Sequence, residues 1–68
     1  MFKVNDRINH KVFGEGVVTE SVMDSTTNYI TVKFNKPTKR DYDSYIHSGV
    51  EEVYSRRFTE ASIKPFLV

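Results

Sequence analysis

The 68-residue chain contains no cysteine. No disulfide can staple it, no thiolate can attack a substrate, and cysteine-based zinc or iron–sulfur sites are excluded. Leucine and alanine are almost as scarce, with only Leu67 and Ala61 present, so two of the best helix formers are missing. No apolar run approaches the ~18 residues that a membrane-spanning helix needs. The start, Met1-Phe2-Lys3-Val4-Asn5-Asp6-Arg7, lacks the apolar stretch of a signal peptide. A cytoplasmic location and a chain that stands alone are the expectations. An excess of one charge is absent too. Ten Lys and Arg face nine Asp and Glu, a net charge of +1. That balance argues against a strongly basic nucleic-acid glue.

What is present is β-forming. Nine Val, four Ile and six Thr are β-branched, and nine residues are aromatic. Such side chains fit a pleated, half-buried surface and lose rotamer freedom in a helix. The length predicts one domain over residues 1–68, because two would need roughly twice as many residues. A chain this size buries only about 60% of its unfolded surface. An all-β fold with a closed or nearly closed barrel is therefore expected, since long open edges would waste scarce burial.

Along the chain, Asp6 to Val12 alternates, with Ile8, His10 and Val12 on one side. Gly14 and Gly16 then mark a tight turn. Gly16 to Met23 reads as a second strand with Val18 and Val22 inward and a bulge near Thr19-Glu20. Asp24 to Asn28 is a polar turn. Tyr29 to Phe34 is the clearest strand: Ile30, Val32 and Phe34 face one way, Tyr29, Thr31 and Lys33 the other. Pro37 is expected to stop it, leaving Asn35 to Gly49 as a longer loop, with a short extra strand as the alternative and Tyr42, Tyr45 and Ile46 packed locally. Val50 to Phe58 is a fourth strand, with Val53 or Tyr54 marking its face. A 3₁₀ turn over Phe58 to Ala61 and a short last strand over Ser62 to Phe66 complete the order of a five-stranded SH3-like barrel. The expected core is Ile8, Val18, Val22, Ile30, Val32, Phe34, Val53 and Ile63.

The segment Asp6-Arg7-Ile8-Asn9-His10-Lys11-Val12-Phe13-Gly14-Glu15-Gly16-Val17-Val18 resembles the opening of the Tudor-like domain at the C-terminus of UvrD-type DNA helicases. Asp6, Arg7, Ile8, His10, Phe13, Gly14, Gly16 and Val18 match that pattern. More distantly it is similar to the CarD-type RNA polymerase-interacting domain, which shares the His, the aromatic residue and the Gly-x-Gly turn. Ile30 to Phe34 fits the family's third strand, and Phe58 with Ile63 its last turn and strand. The helicase pattern has Gly before the Asp, where this chain has Asn5; the middle loop is longer and the fourth strand more charged. The resemblance implies a Tudor-type barrel that binds RNA polymerase or a nucleic-acid enzyme as an accessory module. The motif residues read mainly as fold-specifying. His10 is expected to use a ring nitrogen on a neighbouring carbonyl, and Phe13 to lie over the open end of the barrel.

The chemistry of the remaining residues points away from an enzyme. No Ser sits in a nucleophile elbow. His10 and His47 lack metal-ligand spacing, and Glu51 and Glu52 point to opposite sides of a strand. Gly14-Glu15-Gly16 has an acid where a phosphate loop needs none, and no helix follows it. No cofactor and no metal are expected. A methyl-lysine cage built from the four Tyr and Phe13 is a weaker reading than aromatic core.

Two binding readings stay open. Lys33, Lys36, Lys39 and Arg40, with Arg56 and Arg57, form two basic clusters, and Tyr29, Tyr42, Tyr45 and Tyr54 offer stacking faces for nucleic acid. Asp41, Asp43, Glu51 and Glu52 offset that field. The preferred reading is a protein partner met by Tyr29, Thr31 and Lys33 on the outer face and by the loop around Tyr42 and Tyr45, through edge pairing or a patch. The basic clusters would then face an acidic or phosphate-bearing group, and the chain would be a monomer or a weak homodimer.

Overall fold

The computed structural model describes residues 2–43 and 45–68. The β-branched runs form four strands: β1 (Arg7–His10), β2 (Gly14–Asp24), β3 (Thr27–Asp43) and β4 (Ser48–Thr59). They lie in chain order in one antiparallel sheet that remains open. The all-β expectation holds. A short helix, α1 (Glu60–Ile63), and a 3₁₀ turn over Lys64–Phe66 follow.

The two glycines of the β1–β2 hairpin do different things. Gly14, opposite His10, has φ +86°, a left-handed conformation that suits a residue without Cβ. Gly16, opposite Ile8, is needed for space. A Cβ there would lie 2.7 Å from Val32 Cγ1 and 2.9 Å from Phe34 Cδ1. β3 can thus close tightly over β2. Beneath that crossing, Ile8, Val18, Ile30, Val32, Phe34 and Ile63 form the buried core, with Phe2, Phe13, Phe58 and Leu67 packed against it. Each such side chain, once buried, contributes at most about 1.5–3 kcal/mol.

The β2–β3 register shifts between Val18 and Glu20, where the sequence suggests a bulge. The extra residue reverses the alternation of β2. Ser21 now opposes buried Ile30, and its hydroxyl donates to the Phe2 carbonyl at 3.1 Å. Val22 opposes Tyr29 and is exposed, contrary to the inward position expected of it.

Two further expectations are corrected. Asn35 to Gly49 is not a long loop. β3 continues to Asp43 and β4 begins at Ser48, although Ser44 lies outside the described residues. Pro37 does not stop the strand because it falls in a second register shift. Lys33 pairs with Ser55 and Thr38 with Val53, so four residues of β3 span one of β4. Pro37 has no ladder partner there, and its missing N–H costs nothing. The expected last strand, Ser62 to Phe66, is helical instead. Thr59 and Ser62 form a reciprocal capping box, each side chain bonded to the other's backbone N–H, and Pro65 sits in the first turn of the 3₁₀ segment. The 3₁₀ turn expected at Phe58 to Ala61 is thus replaced by strand to Thr59 and α-helix from Glu60, and the 3₁₀ residues come later, at Lys64–Phe66. Pairing resumes only at Leu67, a single bridge to His10, with Val68 N–H donating to the Asn9 carbonyl at 2.9 Å.

Continuing the β3–β4 hairpin past the core elongates the molecule. Its radius of gyration is 13.0 Å, where compact packing of this length gives ~11 Å. Its surface is 5191 Å², against ~4,400 Å² expected from its mass.

Candidate functional site

His10, at the end of β1, is buried, and its role is structural. Its ring stacks between Phe13 (centroids 4.6 Å apart) and Phe66 (5.1 Å) and meets Phe34 edge-on at 5.9 Å. Nδ1 accepts the backbone N–H groups of Val12 and Phe13, each at 3.1 Å. The expected bond to a carbonyl is thus reversed. The tight turn presents amide donors to Nδ1, so the ring's proton belongs on Nε2. Burial, and secondly the nearby Arg56 guanidinium, push the His10 pKa below its ordinary value. A neutral imidazole wedged between phenyl rings is a core plug. Phe13 lies beside it against Phe34, with the Arg56 guanidinium 4.8 Å from its ring centre.

The second region is the distal hairpin, here the arm, from Thr38 to Val53. Six register pairs run from Thr38↔Val53 to Asp43↔Ser48, about 20 Å at the usual rise per residue. Thr38 is buried at the base, where its hydroxyl donates to the Val53 carbonyl at 3.0 Å. Beyond it almost every described residue is exposed. Tyr42 lies over Gly49, where a Cβ would come within 3.2 Å of the phenol oxygen, and meets His47 edge-on. Tyr45 and Ile46, at the tip, are 105% and 84% exposed, and Val50 is 60% exposed. Sequence reasoning placed Tyr42, Tyr45 and Ile46 in a locally packed loop and missed the arm. The signal was there: Lys39-Arg40 and Glu51-Glu52 are charge-complementary and face each other in the hairpin register.

The structure divides the expected basic residues into three groups. Arg40 binds Glu51, with Nε and Nη2 on one carboxylate oxygen. Arg57 Nη2 binds Glu20 at 2.9 Å. Arg56 Nη1 donates to Thr38 Oγ1 at 3.1 Å and to the Lys39 carbonyl at 3.0 Å, tying the arm to the core. These three arginines line one open concavity with Thr31 and Ser55. Lys33, Lys36 and Lys39 are exposed and make no ion pair among the described residues.

The tyrosines do not gather. Tyr54 lies in an outer-face groove with Val17, Thr19 and Lys33. Tyr29, half-buried, lies near Val22 and Arg57. Tyr42 and Tyr45 belong to the arm. No group of three or more His, Asp or Glu that could hold a metal exists among the described residues. No helix is long and apolar enough to cross a membrane. No protein-family model matches the chain, and neither a curated protein nor a solved structure matches it.

Proposed function

We propose that this protein is a non-enzymatic interaction module that binds a protein partner through the β3–β4 arm. One observation carries the reading: the arm bears Tyr42, Tyr45, Ile46 and Val50 exposed, on a two-stranded ribbon that no other element covers among the described residues. A two-stranded hairpin is marginal in water on its own. Apolar residues on such a ribbon find burial only in a complex. The tyrosines support direct nucleic-acid binding less well, because Tyr54 and Tyr29 line separate grooves and Tyr42 and Tyr45 belong to the arm, so they form no common stacking surface.

The resemblance of residues 6–18 gives the context. The fold is proposed as a Tudor-type, SH3-like barrel whose fifth strand is shortened to the Leu67–Val68 pairing with β1. Asn5 supports this: its φ is +78°, the left-handed conformation that glycine, the residue of the helicase pattern at that position, adopts freely, and that Asn tolerates better than most. The partner proposed is RNA polymerase or a nucleic-acid enzyme of transcription or repair in the cytoplasm. The test is retention of core RNA polymerase on the immobilised protein. Retention is expected, with at least tenfold loss in the double variant Tyr45→Ser/Ile46→Ser. Failure of the wild-type protein to retain it sinks this partner. Unchanged retention by the double variant sinks the arm as the contact.

A further inference from the structure

The concavity at the foot of the arm is lined by Thr31, Arg40, Ser55, Arg56 and Arg57, on β3 and β4. Three arginines line it, and each guanidinium has partners of its own, that of Arg56 also lying 4.8 Å from the centre of the Phe13 ring. Arg57 uses Nη2 on Glu20, Arg56 uses Nη1 on Thr38 and the Lys39 carbonyl, and Arg40 uses Nε and Nη2 on Glu51. Arginine carries five N–H donors. Nε and Nη1 of Arg57, Nε and Nη2 of Arg56 and Nη1 of Arg40 make no hydrogen bond among the described residues. The glutamates therefore do not consume the cluster. They fix guanidinium planes that would otherwise lose rotamer freedom on binding. Three positive charges against two negative ones leave the site cationic. Lys33, opposite Ser55 in the register, adds to it.

We propose that this concavity recognises a carboxylate-bearing segment of the protein partner. Guanidinium groups pair bidentately with carboxylates, and the Ser55 hydroxyl supplies a further donor, the Thr31 hydroxyl already donating to Glu20 at 3.3 Å. A nucleic-acid strand fits less well. None of the four tyrosines lines the concavity to stack a base. The proposal rests on the reading of the arm as a protein-binding element and names the chemistry at its base.

The test titrates hexaglutamate and hexathymidylate into the protein, following backbone and arginine side-chain N–H signals by NMR. Hexaglutamate is expected to give saturable shifts centred on Thr31, Arg40, Ser55, Arg56 and Arg57. Arg57→Ala, at an exposed position, is expected to weaken it at least tenfold with the remaining spectrum unchanged; Arg40→Gln serves as the second variant. Lys64→Ala, which removes equal charge elsewhere, is expected to leave it intact. Shifts spread over all lysines, equal losses from Arg57→Ala and Lys64→Ala, or tighter binding of hexathymidylate would overturn the proposal. Should Tyr45→Ser/Ile46→Ser abolish polymerase retention while Arg57→Ala does not, the site fails and the arm stands. Should hexaglutamate bind as described while polymerase is not retained, the site stands without that partner.

Discussion

The body around His10 and the arm beyond Thr38 are built from the same strands, yet they use their side chains in opposite ways. In the body, alternation is strict across β3, and Ile30, Val32 and Phe34 are all buried. Its buried histidine, His10, accepts two backbone amides at Nδ1 and is closed in by rings. In the arm, Tyr45 and Ile46 face solvent, while cross-strand charges hold the register. Hydrophobic residues thus make the fold in one region and stand in solvent in the other. The hinge between them is the register shift at residues 34–37, where Arg56 and Thr38 tie arm to core.

Substitutions should separate the regions by size of effect. Phe34→Ala is expected to cost about 3–5 kcal/mol, comparable to all the stability a domain this small holds. The variant should be largely unfolded by circular dichroism; a cooperative urea transition near the wild-type midpoint would show that Phe34 does not organise the core. Gly16→Ala comes next. Its methyl meets Val32, Phe34 and the Lys33 carbonyl, the last at 3.0 Å, so one side is backbone that cannot rotate away. A loss of about 1–3 kcal/mol in urea denaturation is expected.

The body should also respond to acid. The folded-state pKa of His10 lies below the ordinary 6.5, first through burial and then through Arg56. The fold therefore favours the neutral ring. That share of stability is complete above 6.5 and is lost as pH falls through the lower folded value. The urea midpoint should decline in that window. His10→Gln should be less stable at neutral pH but show a flatter decline; equal slopes in the two proteins would remove His10 as the cause.

How much of this was legible follows from the same contrast. The body was readable because burial imposes a period: Ile30, Val32, Phe34, the glycine turn and the bulge at Thr19-Glu20 all appear where alternation or its failure marks them. Val22 was misplaced because a bulge, though foreseen, shifts every later residue of its strand to the other face. The arm was hidden because neither face is buried, so no period is imposed on it. Pro37 reinforced the error, since a proline in a strand is tolerated only where the ladder is already broken, and that break is a tertiary feature. The C-terminal turn was misread because the capping pair Thr59 and Ser62 outweighed the strand-like Ile63. Of the candidate site, Arg40, Arg56 and Arg57 were named from charge alone. That they line one concavity is a tertiary feature that charge alone does not show.

The smallest effect is the one that tests the comparison most sharply. Tyr45→Ser/Ile46→Ser removes two large apolar side chains, yet neither is buried in the free protein. Exposed substitutions usually change stability by no more than about 0.5 kcal/mol. The double variant should therefore unfold at the wild-type urea midpoint, or slightly above it if exposed apolar surface favours aggregation of the wild type. A loss of 2 kcal/mol or more, on the order of a buried side chain, would mean that the tip packs on something within the free molecule. The arm would then be part of the core's architecture, and its apolar residues would need no partner to explain them.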